Sequence, residues 1–180
     1  MEFKDFKDFL DKTNPPSSVT SRLLALKALR ERPDYHPESS TNEHIRIVTE
    51  RLIPLGDMDL IFAGCLHDLF KHDTQQINPK NGFVTCPGHD TRVASFIRSN
   101  TIVQEWITSN GGDVETVASL CKDHMRFHQF GDMKKSKQNE FRTRPHWDKL
   151  IYLGAADNML EEFDPNNLEK SWKWKEKVIQ

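Results

Sequence analysis

Apolar residues recur three and four positions apart along most of the chain, and each such run is bracketed by proline, glycine or a capping residue. Phe3, Phe6, Phe9 and Leu10 form a first helical stripe, broken by Asn14-Pro15-Pro16-Ser17-Ser18. A second stripe runs through Leu23, Leu24, Leu26 and Leu29 and is closed by Pro33. Thr41 is placed to cap a helix carrying His44, Ile47, Val48, Arg51 and Leu52, stopped by Pro54 and Gly56. The next helix starts near Asp57 and holds the apolar run from Leu60 to Leu69, interrupted only by His67-Asp68.

Residues 72 to 88 contain Asn78-Pro79, Asn81-Gly82 and Pro87-Gly88, too polar and too punctuated for a helix and long enough for a binding loop. A helix from about His89 carries Val93, Phe96 and Ile97, and a further one through Ile102, Val103, Trp106 and Ile107 ends at Gly111-Gly112. Val114, Val117, Ala118 and Cys121 lead onto His124 and His128. A lysine- and arginine-rich link occupies 129 to 145, after which Trp147, Leu150, Ile151 and Gly154 lead onto Asp157. The last segment, about 166–178, reads as a surface helix with Trp172 and Trp174 packed inward. Sustained strand alternation and internal repeats are absent, so the expected fold is an all-α helical bundle.

At 180 residues the chain fits one domain large enough to enclose an internal site. Hydrophobic residues at 36% and charged ones at 29% describe a soluble globular protein rather than a disordered one. A net charge of -2 argues against a protein that coats nucleic acid through a global positive field, though a local basic patch stays possible. The charged N-terminus and the lack of a membrane-length apolar run predict no signal peptide, no membrane partner and a cytoplasmic location. Three cysteines without paired spacing fit a reducing compartment.

Burying a lone carboxylate beside an imidazole costs several kcal/mol unless a cation meets both, which makes His67-Asp68 the first candidate site. Helical spacing puts other chemistry on the same buried side. The stripe 114, 117, 118, 121 continues to His124 and His128, and the stripe 147, 150, 151, 154 continues to Asp157. A single histidine on an apolar face is usually a satisfied core residue, but coincidences on several helices weaken that reading. His36, His72 and His146 lie in loops or at helix starts and are expected outside the ligand set. Cys86 with His89 has the spacing of half a zinc site, and no second pair completes it. Neutral imidazoles with carboxylates suit one or two divalent ions of the Mn, Fe, Co, Ni or Zn kind, with Mg less comfortable. Such an ion lowers the pKa of a bound water towards ~7 and polarises a phosphoryl oxygen.

The order His44, His67-Asp68, His89, His124, Asp157 resembles the HD superfamily of metal-dependent phosphohydrolases. A finer likeness is to the HD domain of bacterial CCA-adding tRNA nucleotidyltransferases, over roughly residues 35 to 160. It rests on His36-Pro37-Glu38 with His44, the run Ala63-Gly64-Cys65-Leu66-His67-Asp68-Leu69-Phe70-Lys71, Gly88-His89, His124 with His128, and Ala155-Ala156-Asp157. The resemblance implies a five-helix core over about 35–160, and the length a single domain spanning 1–180, with N-terminal helices in 1–32 and a C-terminal helix in 166–178 packed on that core. It further implies a first metal on His44, His67, Asp68 and Asp157, and a second on His89 and His124 with Asp68 bridging. The activity implied is that of a phosphatase and 2′,3′-cyclic phosphodiesterase, with His67, Asp68 and Lys71 as catalytic residues. Phe70 stands where the family usually has glycine, which is expected to narrow the entrance. With no room for a nucleotidyltransferase domain, a free-standing hydrolase without CCA addition is expected.

For the substrate, Lys71, Arg126, His128, Arg142 and Arg144 are the binding candidates, the arginines belonging to a cluster with Lys134, Lys135 and Lys137. Aromatic residues do not interleave that cluster, so a small phosphorylated molecule, a nucleotide or an RNA end fits better than a long duplex. Two other readings stand beside the hydrolase. One is a diiron oxygenase on the same scaffold, which Tyr35 and Glu38 loosely suggest. The other is a non-catalytic nucleotide-binding module.

Overall fold

The structure is a computed structural model, and it describes residues 1–30, 36–159, 162–166 and 168. It is an all-α bundle. The helices are α1 (Phe6–Thr13), α2 (Ser17–Ala25), α3 (Thr41–Leu52), α4 (Met58–Leu66), the short α5 (Lys71–Thr74), α6 (His89–Ser99), α7 (Thr101–Ser109), α8 (Val114–His128), α9 (Lys135–Arg142) and α10 (Trp147–Asp157).

Local chemistry sets where these helices begin. Asp5, Ser40, Asp57, Asn100 and Asp113 each turn a side-chain oxygen to the free amides of the first turn. The cap of α3 is therefore Ser40, one residue before the Thr41 expected from the sequence. α4 is buried from Leu60 to Leu66, as its unbroken apolar run requires, and lies in the middle of a five-helix core with α3, α6, α8 and α10. Two glycines let these helices come close. A Cβ on Gly64 would lie 2.9 Å from Leu52 Cδ1 and 3.3 Å from Thr49 Cα of α3, and one on Gly154 would lie 2.1 Å from the Phe127 ring of α8. α1 closes one end of the bundle, with the Phe9 ring 5.6 Å from that of Phe62 and 6.3 Å from that of Trp106.

Three segments differ from the sequence expectation. Within 72–88 the chain forms a small antiparallel hairpin, β1 (Gln76–Ile77) with β2 (Val84–Thr85), turned at Gly82 in a left-handed conformation. Two-residue strands are too short to show alternation. The basic link of 129–145 folds into a helical turn at Phe130–Asp132 followed by α9, whose Phe141 is buried against Phe130 and Trp147. Phe70 does not reach the site entrance. Its ring lies 5.1 Å from that of Phe96, and the Arg22 guanidinium lies 3.9 Å above it, in a brace completed by the Arg22–Asp73 ion pair. The helix expected around Trp172 and Trp174 lies outside the described residues, as does Tyr35. Among the described residues no helix is long and apolar enough to cross a membrane.

Candidate metal centre

The core helices carry their polar residues to one place. α3 contributes His44, wholly buried one turn into the helix. α4 stops at Leu66, so His67 is its C-cap and Asp68 sits in the turn leading to Lys71 and α5, rather than inside a continuous helix. His89 opens α6, His124 and His128 lie on the last turns of α8, and Asp157 ends α10. Arg51 holds that last end in place by donating to the carbonyls of Ala156 at 2.9 Å and Asn158 at 3.0 Å.

Backbone carbonyls fix three of the imidazoles. The Nδ1–H of His67 donates to Gly64 O at 2.9 Å, that of His89 to Cys86 O at 2.5 Å and that of His124 to Cys121 O at 2.6 Å. Each acceptor lies three residues earlier, within the same helix for His67 and His124 and in the turn before α6 for His89, which leaves every Nε2 free to face the centre. His44 Nδ1 instead lies 2.9 Å from Glu38 Oε1.

The Nε2 atoms gather in two pairs about Asp68. His44 and His67 place theirs 3.3 Å apart, and Asp68 Oδ2 lies 3.4 Å and 3.3 Å from them. Asp157 Oδ1 joins this group at 2.7 Å from His44 and 3.5 Å from His67. His89 and His124 also place their Nε2 atoms 3.3 Å apart, and these face the other oxygen, Asp68 Oδ1, at 3.1 Å and 3.6 Å. Metal–nitrogen and metal–oxygen bonds of about 2.0–2.2 Å put neighbouring ligand atoms roughly 3 to 3.6 Å apart, which is the spacing of these pairs apart from the shorter His44–Asp157 contact. Asp68 Oδ1 is buried without a hydrogen-bond partner. That orphaned oxygen, facing imidazole nitrogens, fits a cation between them. Among the described residues, His44-His67-Asp68, Asp68-His89-His124 and His36-Glu38-His44 are the groups that could hold a metal ion.

The electrostatics show the same demand for positive charge. Burial opposes ionisation of Asp68, but the neighbouring His67 and Lys71 charges outweigh it and hold the carboxyl well below its ordinary range. Asp157 is likewise held down against burial by His128 and His67. In return, burial of His44 is outweighed by Asp157 and Glu38, which raise it to about 9. His67 rises to about 10 against burial through Asp68 and Asp157. His124 goes the other way, lowered by burial to about 4, so its Nε2 is a bare lone pair at neutral pH.

A cavity of about 590 Å³ opens onto this cluster. Asp68, Lys71, His89, His124, His128 and Asp157 form its polar side, and Val84, Pro87, Met125 and Met159 its apolar side. Lys71 is buried with Nζ 2.9 Å from Asp68 Oδ2, and His128 Nε2 lies 2.6 Å from Asp157 Oδ2. The three arginine candidates are placed elsewhere. Arg126 lines a neighbouring depression, Arg142 lies over the Phe130 ring at 5.2 Å, and Arg144 pairs with Asp123 at 2.9 Å. His146 also meets Asp123, at 2.9 Å, while His72 touches Asp73 at 3.8 Å. His36 does line the cavity and lies 2.8 Å from Glu38. The role of Glu38 beside His44 was not assigned from the sequence; an acid six residues ahead of a buried histidine, just before its helix cap, is the available signal.

No family model matches the chain, and no solved structure matches it. The Multifunctional CCA protein of Neisseria gonorrhoeae is 30% identical over 142 residues, which cover 74% of this chain and 33% of that protein. This chain is similar to one part of that protein. Proteins of the same name from Neisseria meningitidis serogroups C and A are also 30% identical over 142 residues, 74% of this chain and 32% of theirs. The chain thus spans about a third of the length of the curated relatives it matches.

Proposed function

We propose that this protein is an HD-type metal-dependent phosphohydrolase, acting on phosphomonoesters, nucleotides or 2′,3′-cyclic phosphodiesters. The observation that supports it best is the division of Asp68, one oxygen towards His44 and His67 and the other towards His89 and His124, at the floor of an open cavity. His44, His67, Asp68 and Asp157 would hold one divalent ion, and Asp68, His89 and His124 a second. Such ions supply an acidified water and neutralise charge on a phosphoryl group.

The remaining residues serve binding and orientation. Lys71 holds Asp68 in place and adds positive charge at the cavity wall, where a phosphate oxygen is attracted. His128 fixes the outer oxygen of Asp157 and leaves an edge towards the cavity. Val84, Pro87, Met125 and Met159 offer a surface on which a base or sugar can lose water. The likeness to Multifunctional CCA proteins supports a nucleotide or an RNA end as the substrate. Because that likeness covers a third of the relatives, CCA addition is not carried over.

The test is elemental analysis of the purified protein, followed by a screen of nucleoside monophosphates, 2′,3′-cyclic nucleotides and generic phosphoesters with Mn, Fe, Co, Ni and Zn. Turnover that needs a divalent ion and is lost in His67→Ala supports the hydrolase. Metal-loaded protein that turns over none of these substrates contradicts it and favours a binding module.

A further inference from the structure

The basic stretch after α8 does not form one patch. Arg144 and Arg142 face Asp123 and the Phe130 ring. Arg126, Lys134 and Lys137 instead line a separate depression of about 420 Å³. Its position is informative. Met125 belongs to both hollows, Asp90 follows the candidate ligand His89, and Arg126 lies two residues beyond His124. The depression therefore adjoins the His89/His124 half of the metal centre and not the His44/His67 half.

Its charge suits an anion. Arg126 sits 5.0 Å from the Phe141 ring, which orders the guanidinium without neutralising it. Lys137 pairs with Glu140 at 2.6 Å, but both are more than half exposed, and such a pair yields readily to a better partner. Asp90 is the single opposing charge in the lining. A guanidinium with two ammonium groups matches a phosphate by charge and by hydrogen-bond donors. Met125 lines both hollows, so a ligand reaching from one to the other passes an apolar side chain that offers two directly linked phosphates no donor. A sugar between the phosphates would set its carbon face against that side chain and leave each phosphate in its own hollow.

We infer that this depression, lined by Arg126, Lys134 and Lys137, is a second-phosphate subsite. It rests on the phosphohydrolase reading and narrows the substrate to nucleotides with a second phosphate one ribose away from the reacting one. That second phosphate is either a terminal monoester or the phosphodiester of a short oligonucleotide.

The experiment compares adenosine 3′-monophosphate, adenosine 3′,5′-bisphosphate and a dinucleotide ending in a 3′-phosphate. Equilibrium binding to metal-free protein and kcat/KM with metal are both measured, for the wild type and for Lys134→Ala with Lys137→Ala. Expected is a preference of about tenfold or more for the doubly phosphorylated compounds, reduced to within about twofold in the double variant. The bisphosphate being favoured over the dinucleotide assigns a terminal phosphate to the subsite, and the reverse assigns a phosphodiester. Hydrolysis of the monophosphate with no preference, or a preference unchanged in the variant, overturns the subsite alone. Preferential binding without turnover of any compound overturns the hydrolase reading and leaves the subsite standing.

Discussion

His124 turns a neutral imidazole nitrogen towards that of His89, the two Nε2 atoms 3.3 Å apart beside a carboxylate oxygen with no hydrogen-bond donor of its own. Lone pairs and a carboxylate oxygen gathered this closely repel one another unless positive charge stands among them. Lys71 does not face this oxygen; its Nζ sits against the other oxygen of Asp68.

His89→Ala and His124→Ala should therefore each remove one metal equivalent and leave the other. Turnover is expected to fall about 100-fold or more, while the helical signal in circular dichroism is unchanged. Elemental analysis that finds a single equivalent in the wild type would contradict the two-ion reading.

Asp68→Ala removes the oxygen atoms shared by both halves, including the one that meets the buried Lys71 Nζ at 2.9 Å. Activity should be abolished. Metal-free stability should drop by about 3 kcal/mol or more, because the partner of a buried charge is lost. Chemical denaturation of the metal-free variant measures this, and an unchanged midpoint would contradict it.

The pH dependence follows from the buried pairs. His44 and His67, raised to about 9 and about 10, keep protons that the unfolded chain releases near 6.5. Their contribution to metal-free stability is complete below pH 6.5 and is lost as the pH rises through 9 to 10. Asp68 and Asp157, held below 3.8, contribute above that value and lose their contribution on acidification. A metal must displace the two imidazole protons, so its binding tightens with pH. The gain in Tm on adding Mn to metal-free protein should thus be larger at pH 8.5 than at pH 6.5, and a smaller gain would contradict the assignment.

Glu38 contacts the outer nitrogen of His44, the one candidate ligand histidine whose Nδ1 meets a side chain rather than a backbone carbonyl. Glu38→Gln keeps the shape and removes the charge. Metal affinity should weaken about 10- to 100-fold, with activity restored by excess metal. Equal affinity in a calorimetric titration would show that His44 is held by packing alone.

The bundle was legible because amphipathic spacing is strong where helices are long, as in α8, and because Asp57 caps α4 where the sequence starts that helix. The convergence of His44, His67, Asp68, His89, His124 and Asp157 was legible for the same reason, since each lies on or beside a buried stripe. Contacts made between segments were not. Phe70 follows Asp68 closely in sequence, yet its ring packs against Arg22 and Phe96, which no local pattern discloses. The basic residues after His128 form one run in the chain, but Asp123 and the Phe130 ring draw Arg144 and Arg142 away from Arg126. The hairpin escaped notice because two residues per strand carry no periodicity.

The most direct measurement is anomalous diffraction from crystals grown with Mn. Two peaks about 3.5–4 Å apart, one among His44, His67 and Asp157 and one between His89 and His124, with Asp68 between them, are the expected result. Fully ordered side chains with no anomalous peak at either position would contradict a metal centre at this site.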